Sequence, residues 1–295
     1  MVNTQKWQGS RIFFNLMAIA IISVVSVISV IPFIMVISGS FSDNSAIIRD
    51  GYSLLPREAN LDAYRMIFLF PKEVARSYLI STTVTVSGTL GGLVIMTMAG
   101  YALQRKDLKY RNQLAFFFYF TTLFSGGLVP WYMVVSALGM RETLWALIVP
   151  MMCSSFYILL IRNFIRTIPD SLTESAKIDG GGDLYILIRI IIPLAKPILA
   201  TVGLFLALAY WNDWYLTSLF VRKNTNWPLQ FRLYFILSNQ IAISTGGAEH
   251  FVGRSLPTEA VKLANAVIST GPIILLYPFL QKYFVQGITI GAVKG

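Results

Sequence analysis

Six stretches of this chain, near residues 12–38, 77–103, 114–136, 143–163, 198–220 and 263–281, are apolar over lengths that leave few places for them to go. A helical bilayer crossing takes roughly 20 mostly apolar residues. With 55% hydrophobic and 13% charged residues over 295 positions, the chain is too apolar for a water-soluble domain of this length. The reading is an all-α polytopic membrane protein, with one transmembrane domain over 1–295 and six transmembrane helices.

The individual runs carry further information. Pro32 falls near the outer end of the first and predicts a kink there. The second run holds Ser77, Ser81, Thr82, Thr83, Thr85, Ser87, Gly88, Gly91 and Gly92. So many small residues predict close helix packing rather than a lipid-facing surface. Orientation follows from basic residues in short links. Arg105, Lys106, Lys109 and Arg111 crowd the link between runs two and three, whereas the next link has only Arg141. The first link is therefore expected in the cytoplasm, together with both termini and the 166–197 loop, and the long loops at 39–76 and 221–262 outside.

Lys6 and Arg11 precede an apolar run, as in a signal peptide. That run, Ile12 to Ser38, is longer than an h-region of about 7–15 residues and lacks a clear small-residue cleavage site, so it reads as a retained anchor. The net charge of +10 is scattered over spans and loops without one basic patch, which argues against nucleic acid and for anionic lipid.

The loop at 166–197 is polar, basic and coded for helix twice. Ser171 with Glu174 three residues later makes a capping box, which predicts a short helix from Leu172. Gly180, Gly181 and Gly182 supply its end, Asp183 is placed to cap a second helix to about Ile191, and Pro193 should stop that helix.

The run Glu174-Ser175-Ala176-Lys177-Ile178-Asp179-Gly180, followed at twelve residues by Ile192-Pro193-Leu194, resembles the EAA loop of binding-protein-dependent ABC importer permeases. Ser175, Gly181 and Ile192 replace that family's usual Ala, Ala and Leu. Gly100-Tyr101-Ala102-Leu103-Gln104-Arg105 is similar to the Tyr-Ala-x-x-Arg segment of carbohydrate permeases. The end of the chain, 284–295, is similar to the maltose-type tail, with Gly287, Gly291, Ala292, Lys294 and Gly295 matching.

The resemblance implies a type I ABC importer permease (MetI-like) fold in a bacterial cell (inner) membrane, with a cytoplasmic coupling helix. Glu174, Ser175, Ala176, Asp179, Gly180 and Pro193 would then meet a separate ATP-binding subunit, and Lys294 in the cytoplasmic tail would reach toward it. The implied partners are a second, similar permease, two copies of a P-loop ATPase, an extracytoplasmic solute-binding protein and a carbohydrate. No Gly-x-x-x-x-Gly-Lys-Ser/Thr loop occurs in this chain, so no cofactor is expected on it, and ATP and Mg belong to the ATPase partners.

Residues for catalysis or metal binding are sparse. Cys153 is the single cysteine, in an apolar run, and His250 the single histidine, in an outer loop. Asp213, within Tyr210-Trp211-Asn212-Asp213-Trp214-Tyr215, is the unusual intramembrane position. A carboxylate there costs a few kcal/mol to insert and usually faces a cavity or partner. With the flanking rings it suits a sugar path, and it equally suits an aromatic belt at the outer surface. The Trp-Asn-Asp-Trp segment and the overall pattern are most similar to the oligosaccharide branch of these permeases, with members linked to aldouronate and alginate uptake. That resemblance implies an alginate- or uronate-like substrate, Arg222, Lys223, Arg232 and Arg254 in the outer loops would suit its acidity, and a neutral maltose-like sugar stands beside it. The rival classes are a proton-coupled secondary transporter, for which only Asp213 qualifies, a membrane-embedded enzyme, and a purely structural membrane subunit.

Overall fold

The computed structural model of the chain describes residues 4–69, 71–246 and 259–272. Among them are helices and connecting turns and no strand. The chain divides into two compact units, Met1–Phe70 with Ile236–Thr270 and Pro71–Phe235 with Gly271–Gly295.

In the first unit, α1 (Thr4–Ser40) is continuous through Pro32. Its apolar stretch, Arg11–Ser40, has no buried residue in its most apolar part, and large side chains stand exposed on every side of it. A helix that is apolar all round needs cover from lipid or from another chain. At its end Ser38, Gly39 and Ser40 are buried, and the Ser42 hydroxyl donates to the Ser38 carbonyl at 2.9 Å. Asp43 accepts from the Ser45 amide at 2.8 Å and so caps α2 (Asn44–Asp50). Asn44 accepts from the Glu259 and Ala260 amides at 2.9 and 3.3 Å, which caps the helical stretch over 259–272 from far away in sequence. The short α3 (Asp62–Ile67) buries Ala63 and Ile67.

The second unit is built around α4 (Pro71–Gln104). After it come α5 (Arg111–Leu123), α6 (Leu128–Ala137), α7 (Trp145–Ile148), α8 (Ser155–Ile165), α9 (Asp170–Ile178), α10 (Asp183–Ile186), α11 (Ile192–Leu194), α12 (Lys196–Asn212) and α13 (Tyr215–Phe220). The last, α14 (Leu229–Gly246), begins in this unit. The long helix α4 packs against both α8 and α12. Its small residues allow this, as the sequence predicts. A Cβ on Gly88 would collide with the Tyr210 ring, and one on Gly92 would lie 2.7 Å from Leu206 and 3.1 Å from the Met152 carbonyl. Ser81 accepts the Leu229 amide at 2.8 Å, so polar small residues tie the same helix to α14.

Three of the six apolar runs are not single helices. The third is α5 and α6, bent by 118° across Phe124–Gly127, where Gly127 takes φ +87° and ends the possibility of continuous helix. The fourth is broken by 45° after the tight turn Val149–Met151, which contains Pro150. The fifth is not 198–220. Its helix α12 stops at Asn212, and α13 starts anew at Tyr215 because Asp213 draws the Leu216 amide. The sixth is helical to residue 272, and the rest of it lies outside the described residues. Among the described residues, two helices pass by length and composition as crossings, Arg11–Ser40 and Pro71–Gln104, and up to five do if each bent pair counts as one.

Gly92→Val forces the added methyls against the Met152 backbone, which cannot rotate away. Overpacking of this kind costs about 1–3 kcal/mol. The variant should lose thermal stability in detergent by that margin, and an unchanged melting curve would contradict the close approach.

Candidate functional site

Two places in the second unit carry the residues singled out by sequence. The first is the polar loop between α8 and α12. Pro169, at φ −59° and ψ 130°, leads into α9, which begins at Asp170 rather than at Leu172. The capping box is therefore not formed. Ser171 lies inside the helix, the N-cap position belongs to Pro169, and no side chain caps it. The Thr173 hydroxyl donates to the Asp170 carbonyl at 2.8 Å instead.

The end of α9 follows the sequence expectation closely. Gly180 takes φ +80°, its amide donates to Lys177 at 3.0 Å, and the Gly181 amide donates to Ala176 at 2.8 Å. This pair of bonds is a Schellman closure, which needs a residue tolerant of the left-handed region. Asp183 does not cap α10. Gly182 precedes the helix without a side-chain bond, and the Asp183 carboxylate pairs with Arg105. Nor does Pro193 stop the second helix. A wide π turn, Leu187–Ile191, sends the Ile192 amide back to the Leu187 carbonyl, and the helix runs on through Pro193 in α11. The bend of 81° comes two residues later, at Ala195.

No residue of α9 is buried. Glu174, Ser175, Asp179 and Gly180 are exposed, Ala176 is half-buried, and Ile178 is 86% exposed. The coupling residues named from sequence thus lie together on α9 and its closing turn, while Pro193 lies on the second limb. Lys294 falls outside the described residues, as do His250 and Arg254.

Sequence reasoning missed what holds this loop. A cleft of about 160 Å³ between α9 and the end of α4 is lined by Arg105, Lys106, Asp107, Asp170, Glu174 and Lys177 among others. Arg105 donates through Nε to Asp107 at 2.8 Å, pairs with it again through a second nitrogen, and also pairs with Asp183. Lys106 pairs with Asp170, and Lys177 stands 3.9 Å from Asp107. Hydrogen bonding from Arg105 holds the Asp107 carboxyl down at about 2. A lowered carboxylate stabilises above its ordinary value of 3.8 and loses that contribution only as the pH falls towards about 2, so this grip is fully ionised near neutrality. The visible signal was opposite charge on two segments, Arg105 to Asp107 and Asp170 to Asp183, both expected from sequence on the same side of the membrane.

The second place is Tyr210 to Trp214. Tyr210 and Trp211 are buried, and the Tyr210 hydroxyl donates to the Ile148 carbonyl at 2.6 Å. These two rings are packing elements, not an open surface. Asn212 is exposed and accepts from Gln230 at 3.4 Å. Asp213 lies at a helix break, where its carboxylate accepts the Leu216 amide at 3.2 Å and caps α13. Trp214 is exposed and stacks on Tyr234, with ring centres 4.6 Å apart. Beside it, Tyr215 joins Ser125, Gly127 and Trp131 around an open cleft of about 620 Å³. Of the basic outer residues, Arg222 and Lys223 are exposed. Arg232 is buried, and it donates to Glu73 at 2.7 Å and to Ser77 at 2.6 Å. It is committed to its own fold and offers no free charge to a substrate. No group of His, Cys, Asp and Glu among the described residues could hold a metal ion.

Known proteins resemble most of this chain. The chain is 40% identical over 269 residues to the polygalacturonan/rhamnogalacturonan transport system permease protein YtcP of Bacillus subtilis (strain 168), covering 90% of this chain and 92% of that one. Protein LplC of the same strain is 40% identical over 266 residues, covering 90% and 89%. The inner membrane ABC transporter permease protein YcjP of Escherichia coli (strain K12) is 28% identical over 273 residues, covering 90% and 91%. A crystal structure of a bacterial ABC transporter involved in the import of the acidic polysaccharide alginate contains a chain that superposes with a TM-score of 0.78 at 30% identity, covering 93% of this chain and 98% of that one. No protein-family model matches the chain.

If Asp213 serves the fold as a cap, Asp213→Ala should cost about 1 kcal/mol of stability. Asp213→Asn keeps an acceptor and should cost little. Thermal melts of the two variants side by side check this, and equal losses would remove the cap.

Proposed function

The chain belongs to the permease subunits of ABC sugar importers, and from that premise we propose that it forms one half of an oligosaccharide path driven by ATPases docked on α9. The observation that carries the reading is the state of α9: a polar helix without a buried residue, closed by Gly180, with Ile178 held almost fully in water. A short polar helix that presents such an apolar side chain has the form of helices that dock into grooves on other proteins.

In this reading the chain is a single MetI-like permease domain of six spans, counting each bent pair and the run at 263–281 as one crossing. The 166–197 loop, the 284–295 tail and both termini face the cytoplasm, and the membrane is the inner membrane of a bacterium. A second, similar permease completes the pore. Two P-loop ATPases bind and hydrolyse ATP with Mg, and an extracytoplasmic protein delivers the sugar. Closure of the ATPases moves Glu174, Ser175, Ala176, Asp179 and Gly180 together, with Pro193 on the following limb and Lys294 in the tail as further contacts. The permease then exchanges inward and outward states, and ATP must bias one over the other by contacts that differ between them.

The substrate side is assigned to Asn212, Asp213 and Trp214, with Tyr210 and Trp211 behind them as support. The exposed Trp214 face, the Asn212 and Gln230 amides and the cleft by Tyr215 offer the flat apolar and hydrogen-bonding surfaces that a sugar ring needs. An acidic oligosaccharide fits best with relatives named for polygalacturonan and rhamnogalacturonan and a solved neighbour that imports alginate, and Arg222 and Lys223 are its available cations.

Gentle extraction of the tagged chain, followed by mass spectrometry, should recover a P-loop ATPase and a second permease in comparable amounts. Recovery of the chain alone would overturn the reading. In proteoliposomes, Trp214→Ala should lower uptake of alginate or polygalacturonan oligosaccharides about tenfold through lost stacking, with basal ATP hydrolysis retained. Unchanged uptake would return Trp214 to a membrane-surface role.

A further inference from the structure

Three consecutive residues beyond the end of α4 hold both limbs of the cytoplasmic loop. Lys106 pairs with Asp170, the first residue of α9, and Asp107 faces Lys177 in its last turn. Arg105 reaches past them to Asp183, the first residue of α10. The three links differ in weight. Lys106 is 72% exposed, and a flexible ammonium in water contributes little. The Arg105 side chain is only 22% exposed. It meets Asp107 through two nitrogens and Asp183 through a third, with its guanidinium carbon 6.0 Å from the ring centre of the buried Tyr101. A guanidinium fixed on two carboxylates and a ring is a geometric constraint as well as a charge.

This matters because apolar burial does not hold α9. None of its residues is buried, and only Ala176 packs, half-covered, against the core. Its position is set by its polar links, and those end on the turn that directly follows α4. In turn α4 packs closely on α8 and α12, and Arg162 of α8 donates to the Leu103 carbonyl at 3.1 Å, just before the cluster.

We propose that Arg105 is the positioning residue of the coupling loop: it joins α10 to the end of α4 directly through Asp183, and fixes Asp107, which faces Lys177 of α9, so that a displacement imposed on the loop is delivered to α4. The proposal rests on the transport reading above and goes beyond it by naming the residue outside the loop on which coupling depends.

The test uses the whole complex with its binding protein in proteoliposomes, with alginate and polygalacturonan oligosaccharides as probes and maltodextrin as the neutral comparison. Sugar imported per ATP hydrolysed is the quantity read, since a merely structural role lowers both together. Arg105→Gln should lower that ratio about tenfold, and Asp183→Asn, which alters only a half-exposed carboxylate, about threefold. The exchanged pair Arg105→Asp with Asp183→Arg should recover most of the loss. A ratio in Asp183→Asn equal to that of the wild type overturns the proposal even if Arg105→Gln fails to assemble, and so does an exchanged pair no better than Arg105→Gln. Failure of the transport reading itself shows differently, as a wild-type complex that imports none of the three probes.

Discussion

The approach of α4 to its two neighbours is the constraint on which the second unit depends. At Gly88 and Gly92 there is no room for a Cβ, since the Tyr210 ring and the Met152 carbonyl occupy that space. This closeness seats Tyr210 where its hydroxyl reaches the Ile148 carbonyl, and it brings α8 and α12 into register along one helix. In lipid, helices gain little from hiding apolar surface from one another, so fit and buried hydrogen bonds decide the packing. Ser77 and Ser81 add the second ingredient by binding Arg232 and the Leu229 amide.

Much of this was legible because the relevant rules are local. Small residues on one run imply close approach whatever lies opposite. Gly180 implies a left-handed turn because that backbone conformation strains other residues, and the turn is where expected. The family resemblance was carried by short-range spacing in the loop, and the relatives share it over nearly the full chain.

What sequence did not reveal depended on distant partners or on competition between local signals. Ser171 and Glu174 have the spacing of a capping box, yet Pro169 starts the helix earlier and leaves them inside it. Pro193 looks like a terminator only if the preceding turn is an ordinary one, and a π turn removes that condition. Asp183 has the composition of a cap, but Arg105, far off in sequence, takes its carboxylate. Arg232 looked available to a substrate because Glu73 lies 159 positions away. Asp213 stood out in its apolar run, yet the run was read as continuous to residue 220, whereas α12 ends at Asn212 and the Asp213 carboxylate accepts the Leu216 amide at the start of α13.

The lack of buried residues in α9 has a consequence for the life of the subunit. A nine-residue helix without a hydrophobic anchor is marginal in water, so its amides can open locally while the bundle beside it stays closed. On the proposed docking, the surface offered to a partner is thus soft, and the proposed anchor behind it, at Arg105, is held by two carboxylates. Under that proposal the loop could lose and regain its shape at each encounter while the helices of the bundle stay folded.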